Sequence, residues 1–305
     1  MRDSELRRAI GQAREWLQCL SVKHVMELAA ADAMLVLIGL WLGDITHVHK
    51  DRESVGVIAN RLQQLLDDSD QDTVGSGHYD TRLLLISDSI LRYCGLASAQ
   101  IEVFARELAA DFEDLDSTPY DYLGESFLLS KRGLLPGHVT MSVDLSLAWK
   151  IGLQGISAQR THVHNLCRQI EGATGFGTFP IETSRRGRAE LEYRLNQVLI
   201  GSLHSYDIEL ATAALRSLVS IQAQDSRSVR EALRFLLLQQ WRDGRFGFLS
   251  TEVRLLAGER SPVEPVARRV YLQSTVACMW AIAMMLRDDW IVHAGHLFTG
   301  TEQAA

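Results

Sequence analysis

Eight polar residues lie at or just ahead of the starts of apolar segments in this chain: His78, Asp80, Asp116, Tyr120, Asp121, His204, Tyr206 and Asp207. A helix start leaves backbone N–H groups without partners inside the helix and carries the positive end of its macrodipole. Carboxylates, hydroxyls and imidazoles placed there can hold or polarise a small molecule. An aspartate at a helix start is also an ordinary N-cap, worth about 1 kcal/mol, and each Asp taken singly reads that way. Several of them brought to one mouth would make a binding surface instead, so everything depends on how the helices are arranged.

The remaining chemical candidates are weaker. The tetrapeptide Thr-His-Val-His occurs at 46–49 and again at 161–164, and His293 and His296 lie three apart. In an extended loop His47 and His49 would share a face and could chelate. In a helix, residues two apart diverge by about 200° and could not. The second copy runs into NLCRQIEG, a helical pattern. Surface or capping histidines are the main reading and a metal site is the alternative. Cys19, Cys94, Cys167 and Cys278 are isolated, with no CxxC pair, which fits reduced thiols. The chain has no nucleophile elbow, Walker loop, Rossmann glycine pattern or HExxH helix. No cofactor or metal is expected.

The elements that position these residues read as helices throughout. Segments 54–66, 98–112, 188–203 and 228–240 place apolar residues at i, i+3, i+4 and i+7, with charges between them. Period-2 runs rich in Val, Ile and Thr are almost absent. Four segments begin with a tyrosine and continue as a mostly apolar helix, from Tyr79, Tyr120, Tyr206 and Tyr271. The second interval is about twice the first, and the segment from His138 (HVTMSVDLSLAWKIGL) is a candidate to fill it. Another apolar helix, HVMELAAADAMLVLIGLWL, precedes them all. Helix pairs repeating in this way build a solenoid or a closed ring. Helices apolar on nearly all sides must be covered all round, while those with one apolar stripe belong outside. About six of the first kind alternating with the second predict an all-α chain, a single domain over 1–305, folded as an α/α toroid. In a toroid the inner helices run parallel, so their starts would collect the eight polar residues at one mouth.

Two segments resemble a known superfamily, the α/α toroids of terpenoid cyclases and protein prenyltransferases. The stretch Gln240-Trp241-Arg242-Asp243-Gly244-Arg245-Phe246-Gly247 resembles their Q…DG(W/F)G repeat, in which an outer helix ends in a turn and an aromatic plugs the seam to the next hairpin. Gly175-Phe176-Gly177-Thr178-Phe179-Pro180 looks like a degenerate copy. The stretch Asp114-Leu115-Asp116-Ser117-Thr118-Pro119 resembles the acidic signature of stand-alone class II terpenoid cyclases, with Ser117 where the usual motif has a third acid. The resemblance implies that Asp116 is a general acid protonating an alkene or epoxide, with Asp114 beside it. The implied chemistry is sound: a neighbouring carboxylate and a dry cavity both raise an acid's pKa. Zinc ligands of other toroid enzymes, an Asp-x-Cys or a Cys-His pair, have no counterpart here.

The 305 residues carry 31 Lys and Arg against 38 Asp and Glu, a net charge of −7, which argues against a nucleic-acid partner. The first fifteen residues are charged throughout, unlike a signal peptide. The run 28–42 contains Asp32 and falls short of the ~20 apolar residues a membrane span needs. No integral membrane segment and a cytoplasmic location are therefore expected. The first functional expectation is a small-molecule biosynthetic enzyme, an isomerase- or lyase-type cyclase acting on a small apolar molecule through Asp116. The second is a non-catalytic helical toroid that binds a peptide, a carrier or a partner enzyme in a biosynthetic pathway. Aromatic cavity walls would favour the first and polar walls the second. Homodimerisation stays open.

Overall fold

The computed structural model of the chain describes residues 3–46, 52–69, 80–113, 122–136, 143, 160–247, 263–286 and 290–291. Among them are eleven α-helices and no strand. These are α1 (Asp3–His24), α2 (Ala30–Thr46), α3 (Arg52–Asp67), α4 (Thr81–Tyr93), α5 (Ala99–Glu113) and α6 (Leu123–Lys131). They continue with α7 (Arg160–Ala173), α8 (Arg185–His204), α9 (Ile208–Ser220), α10 (Arg227–Leu238) and α11 (Val263–Met285).

Two kinds of helix follow from the two kinds of sequence pattern. α1 buries Leu6, Ala9, Ile10, Ala13 and Leu17, and α10 buries Val229, Ala232, Leu233 and Leu236, a single stripe in each. α2 and α9 are buried on nearly every side. The first kind packs against the second. α1 packs on α2 and α11, α3 on α2, α5 on α4 and α6, and α8 and α10 on α9 and on each other.

The enclosed helices contact one another in order. α2 packs against α4, α4 against α6, α6 against α7, α7 against α9, α9 against α11, and α11 returns to α2. The α6–α7 crossing in this circuit brings two backbones together. A Cβ on Gly172 would stand 2.4 Å from the Gly124 amide nitrogen and 2.5 Å from the Leu123 carbonyl carbon, so only glycine allows the two backbones to meet.

Two sequence expectations change here. The fourth place in the circuit belongs to α7, the helix containing the second Thr-His-Val-His copy. The segment from His138 lies outside the described residues apart from buried Val143. Nor does a tyrosine always start the inner helix: Tyr206 stands just before Asp207, the cap of α9, but Tyr271 is buried within α11.

The aromatic turns act as plugs. Gln240 donates from Nε2 to the carbonyls of Ala9 (2.8 Å) and Gly244 (2.9 Å), fixing the turn against α1. Gly244 has φ +98°, and a Cβ there would lie 1.9 Å from the Gln12 carbonyl oxygen. Phe246 is wholly buried, and its amide donates to Thr275 Oγ1 of α11 at 2.9 Å. Phe176, in the turn after α7, is also buried, with its ring 6.0 Å from both Phe127 and Trp280 and its carbonyl accepting from Trp290 Nε1. Trp41 and Trp280 both stack on Trp290, so aromatics fill the circuit where α2, α6 and α11 approach their C-terminal ends.

Candidate functional site

At the opposite end of these helices is a cavity of about 1000 Å³. Its walls come from α2 (Asp32, Met34, Leu35), α4 (Arg82, Leu83), α7 (Arg160 to Glu171), α9 (Ile208 to Arg216) and α11 (Arg269 to Trp280). Four of the six circuit helices, α2, α4, α7 and α9, open their first turns on this one space. Helix-dipole ends that would otherwise be scattered act there together.

At the rim, Asp80 and Asp207 line the cavity, and each caps the helix it precedes. Asp80 accepts from the amides of Arg82 (3.0 Å) and Leu83 (3.2 Å), and Asp207 from that of Leu210 (3.1 Å). Each also holds an arginine from α7. Arg168 reaches Asp80 at 2.9 Å, while Arg160 pairs with Asp207 and reaches Glu209 at 2.7 Å. Burial pushes the Asp32 carboxyl above its ordinary value, against the pull of Arg269 and Arg268. Burial likewise lowers His164, with Glu209 opposing, which favours the neutral imidazole.

The floor is a buried ionic cluster. Arg82 donates from Nη1 to Glu171 Oε2 at 2.5 Å, and Arg216 donates from Nε to Glu171 Oε1 at 2.7 Å. Glu125 of α6 stands behind, with Oε1 4.0 Å from Arg82 Nε. The two carboxyls diverge. Burial acts to raise Glu171, but Arg216 and Arg82 outweigh it and hold the group below the usual carboxylate range. Burial raises Glu125, and Arg82 only partly offsets it. The Arg216 guanidinium lies over the Trp280 ring at 5.3 Å. Among the described residues several donors of the floor side chains have no acceptor: Arg82 Nε and Nη2, and Trp280 Nε1. Cys167 is also part of the wall, but burial pushes its thiol up to about 12, so it is no nucleophile at neutral pH.

Of the sequence-derived candidates, the structure brings Asp80 and Asp207 to the cavity. His204 and Tyr206 are exposed and do not line it; Tyr206 packs on Phe235 of α10, with ring centroids 5.5 Å apart. His78, Asp114, Asp116, Tyr120 and Asp121 lie outside the described residues, as do His47, His49, His293 and His296. His162 and His164 fall two apart on α7 and diverge, as a helix requires. Among the described residues no group of three or more His, Cys, Asp or Glu could hold a metal ion, and no helix is long and apolar enough to cross a membrane.

Arg82, Glu125, Glu171, Arg216 and Trp280 were not singled out in the sequence. One signal was available: Arg216 is the only charge inside the apolar run LATAALRSLVS, and Glu125 interrupts LGESFLL in the same way. A charge in a helix that must be covered on all sides needs a buried partner or a ligand.

Comparison of the chain with protein-family models, with curated proteins and with solved structures found no match.

Proposed function

We propose that the chain is an α/α toroid whose central cavity binds a small amphiphilic molecule. The contact circuit that leaves α2 and returns to it through α11 supports the toroid reading. The observation that carries the binding reading is the mixed wall of the cavity. Met34, Leu35, Val276 and Ala277 offer apolar surface beside Arg82, Arg216 and Glu171, and Trp280 is the one aromatic among its described lining residues. Walls of this kind suit recognition of a molecule with polar and apolar parts better than shielding of a bare carbocation, which calls for several aromatic faces. Rim pairs such as Asp80–Arg168 then serve as caps and recognition contacts. The test fills the space. Wild type and Ala277→Phe are equilibrated with a mixed library of amphiphilic acids, alcohols and amines, separated from free compound, and extracted for mass spectrometry. Retention by wild type with loss in a stably folded Ala277→Phe supports the reading, and retention of nothing by either refutes it.

A second reading keeps Asp116 as a general acid in a cyclase-type protonation, with Asp114 beside it. In its favour, the segment carrying both acids directly precedes α6, which belongs to the circuit. Incubation with polyprenyl substrates decides it, since equal product yields from wild type and Asp116→Ala would remove Asp116 from any such reaction.

A further inference from the structure

We propose that Arg82 and Arg216 form a seat for the carboxylate of the cavity's ligand, a monocarboxylic acid with an apolar body. This rests on the reading of the cavity as a binding site and names the chemistry of its floor.

The first argument is a count of donors. A guanidinium carries five N–H donors in a planar fork. Glu171 takes one nitrogen from each arginine, on opposite oxygens. Among the described residues Arg82 Nε and Nη2 make no hydrogen bond, Glu125 Oε1 standing 4.0 Å from Nε, and the residue is only 7% exposed. Arg216 makes no hydrogen bond through its terminal nitrogens among the described residues, and Trp280 covers one face of its guanidinium, leaving the edge for in-plane contacts. Trp280 Nε1 also has no acceptor among the described residues. Buried donors without acceptors are rare because each forfeits its hydration. Arg82 and Trp280, which carry these donors, both line one cavity, and this points to an acceptor that the described residues do not supply.

The second argument is the charge balance. At the rim Asp80 offsets Arg168, while Asp207 and Glu209 together outnumber Arg160 by one. On the floor Arg82 and Arg216 share Glu171, so the positive charge there locally exceeds the carboxylate that both contact. The raised pKa of Glu125 favours its neutral form and preserves that surplus. The first turns of α2, α4, α7 and α9, which open on the cavity, add potential of the same sign. That local surplus suits a single carboxylate head, while the extra acid at the rim disfavours a phosphate dianion. The apolar wall of Leu35, Val276 and Ala277 sets the character of the remainder of the ligand.

The experiment measures decanoate, decanol and decyl phosphate by calorimetry against the full chain, with wild type, Arg216→Gln and Arg216→Lys. Decanoate should bind wild type most tightly and weaken at least tenfold in both variants, while decanol affinity stays within twofold. Arg216→Lys guards against a folding defect: it keeps a cation for Glu171 but removes the planar fork. Equal binding of decanoate and decanol, or unchanged decanoate affinity in a folded Arg216→Lys, overturns the seat and leaves the cavity reading standing. Tighter binding of decyl phosphate overturns the choice of carboxylate. Failure of all three probes to bind overturns the cavity reading and the seat with it.

Discussion

Replacing Glu171 with Gln tests the floor of the cavity as a structural element. The side chain is almost fully buried and is the shared counter-ion of Arg82 and Arg216, at 2.5 and 2.7 Å. Gln keeps the shape and one acceptor but removes the charge, leaving two buried guanidiniums facing each other. Breaking a buried ion pair by removing one partner costs about 3–5 kcal/mol. At about 2 °C per kcal/mol, suited to a large domain, Tm should fall by about 6–10 °C at pH 7. The pH dependence gives an independent check. Burial acts to raise the carboxyl, but the two arginines outweigh it and leave the folded-state value below the ordinary 4.5. The stabilisation is therefore complete above pH 4.5 and is lost as pH falls through the depressed value. Melting curves of both proteins from pH 7 down to the lowest pH of cooperative unfolding should show the gap narrowing only in the acid range. A gap under about 2 °C at pH 7, or one that stays constant with pH, would refute the assignment of Glu171 as an ionised counter-ion.

Glu125→Gln should behave in the opposite sense. Because the folded-state value of Glu125 lies above 4.5, wild type loses stability as pH rises through that window, and the variant should gain relative to wild type between pH 4 and pH 7.5 in the same melts. Gly172→Ala drives a methyl into the α6 backbone and should cost about 3 kcal/mol or more by urea titration. Gly56→Ala on α3, where a methyl meets nothing within 4 Å, should instead gain about 0.5–1 kcal/mol. Asp80→Ala and Asp207→Ala, read as caps, should each lose about 1 kcal/mol, well short of the Glu171 variant. A thiol reagent applied to native protein should titrate Cys19 quickly and leave Cys167 and Cys278 unmodified until the chain is denatured, because burial keeps both protonated and inaccessible.

The local level of this fold could be read from residue order. Apolar spacing of three and four gave helices at α3, α5, α8 and α10 close to their observed limits, since burial of one stripe is a property of a single segment. Asp80 and Asp207 were identifiable as helix starts because a cap bonds amides two or three residues ahead. The buried turn aromatics Phe246 and Phe176 followed the same logic.

The cavity floor is different. Arg82 and Glu171 are 89 positions apart, and Glu171 and Arg216 are 45 apart, on three helices whose adjacency no local pattern encodes. α7 was similarly overlooked as a circuit member, because its polar first turn hid the apolar half that meets α6 and α9. A lone arginine in an apolar helix announces that a partner must exist, but only packing decides which helix supplies it. Sequence thus determined that apolar helices such as α2 and α9 had to be covered and, at Asp80 and Asp207, where a helix begins. Tertiary structure alone decided which charges meet, because a buried ion pair depends on distances between helices and not on spacing along one.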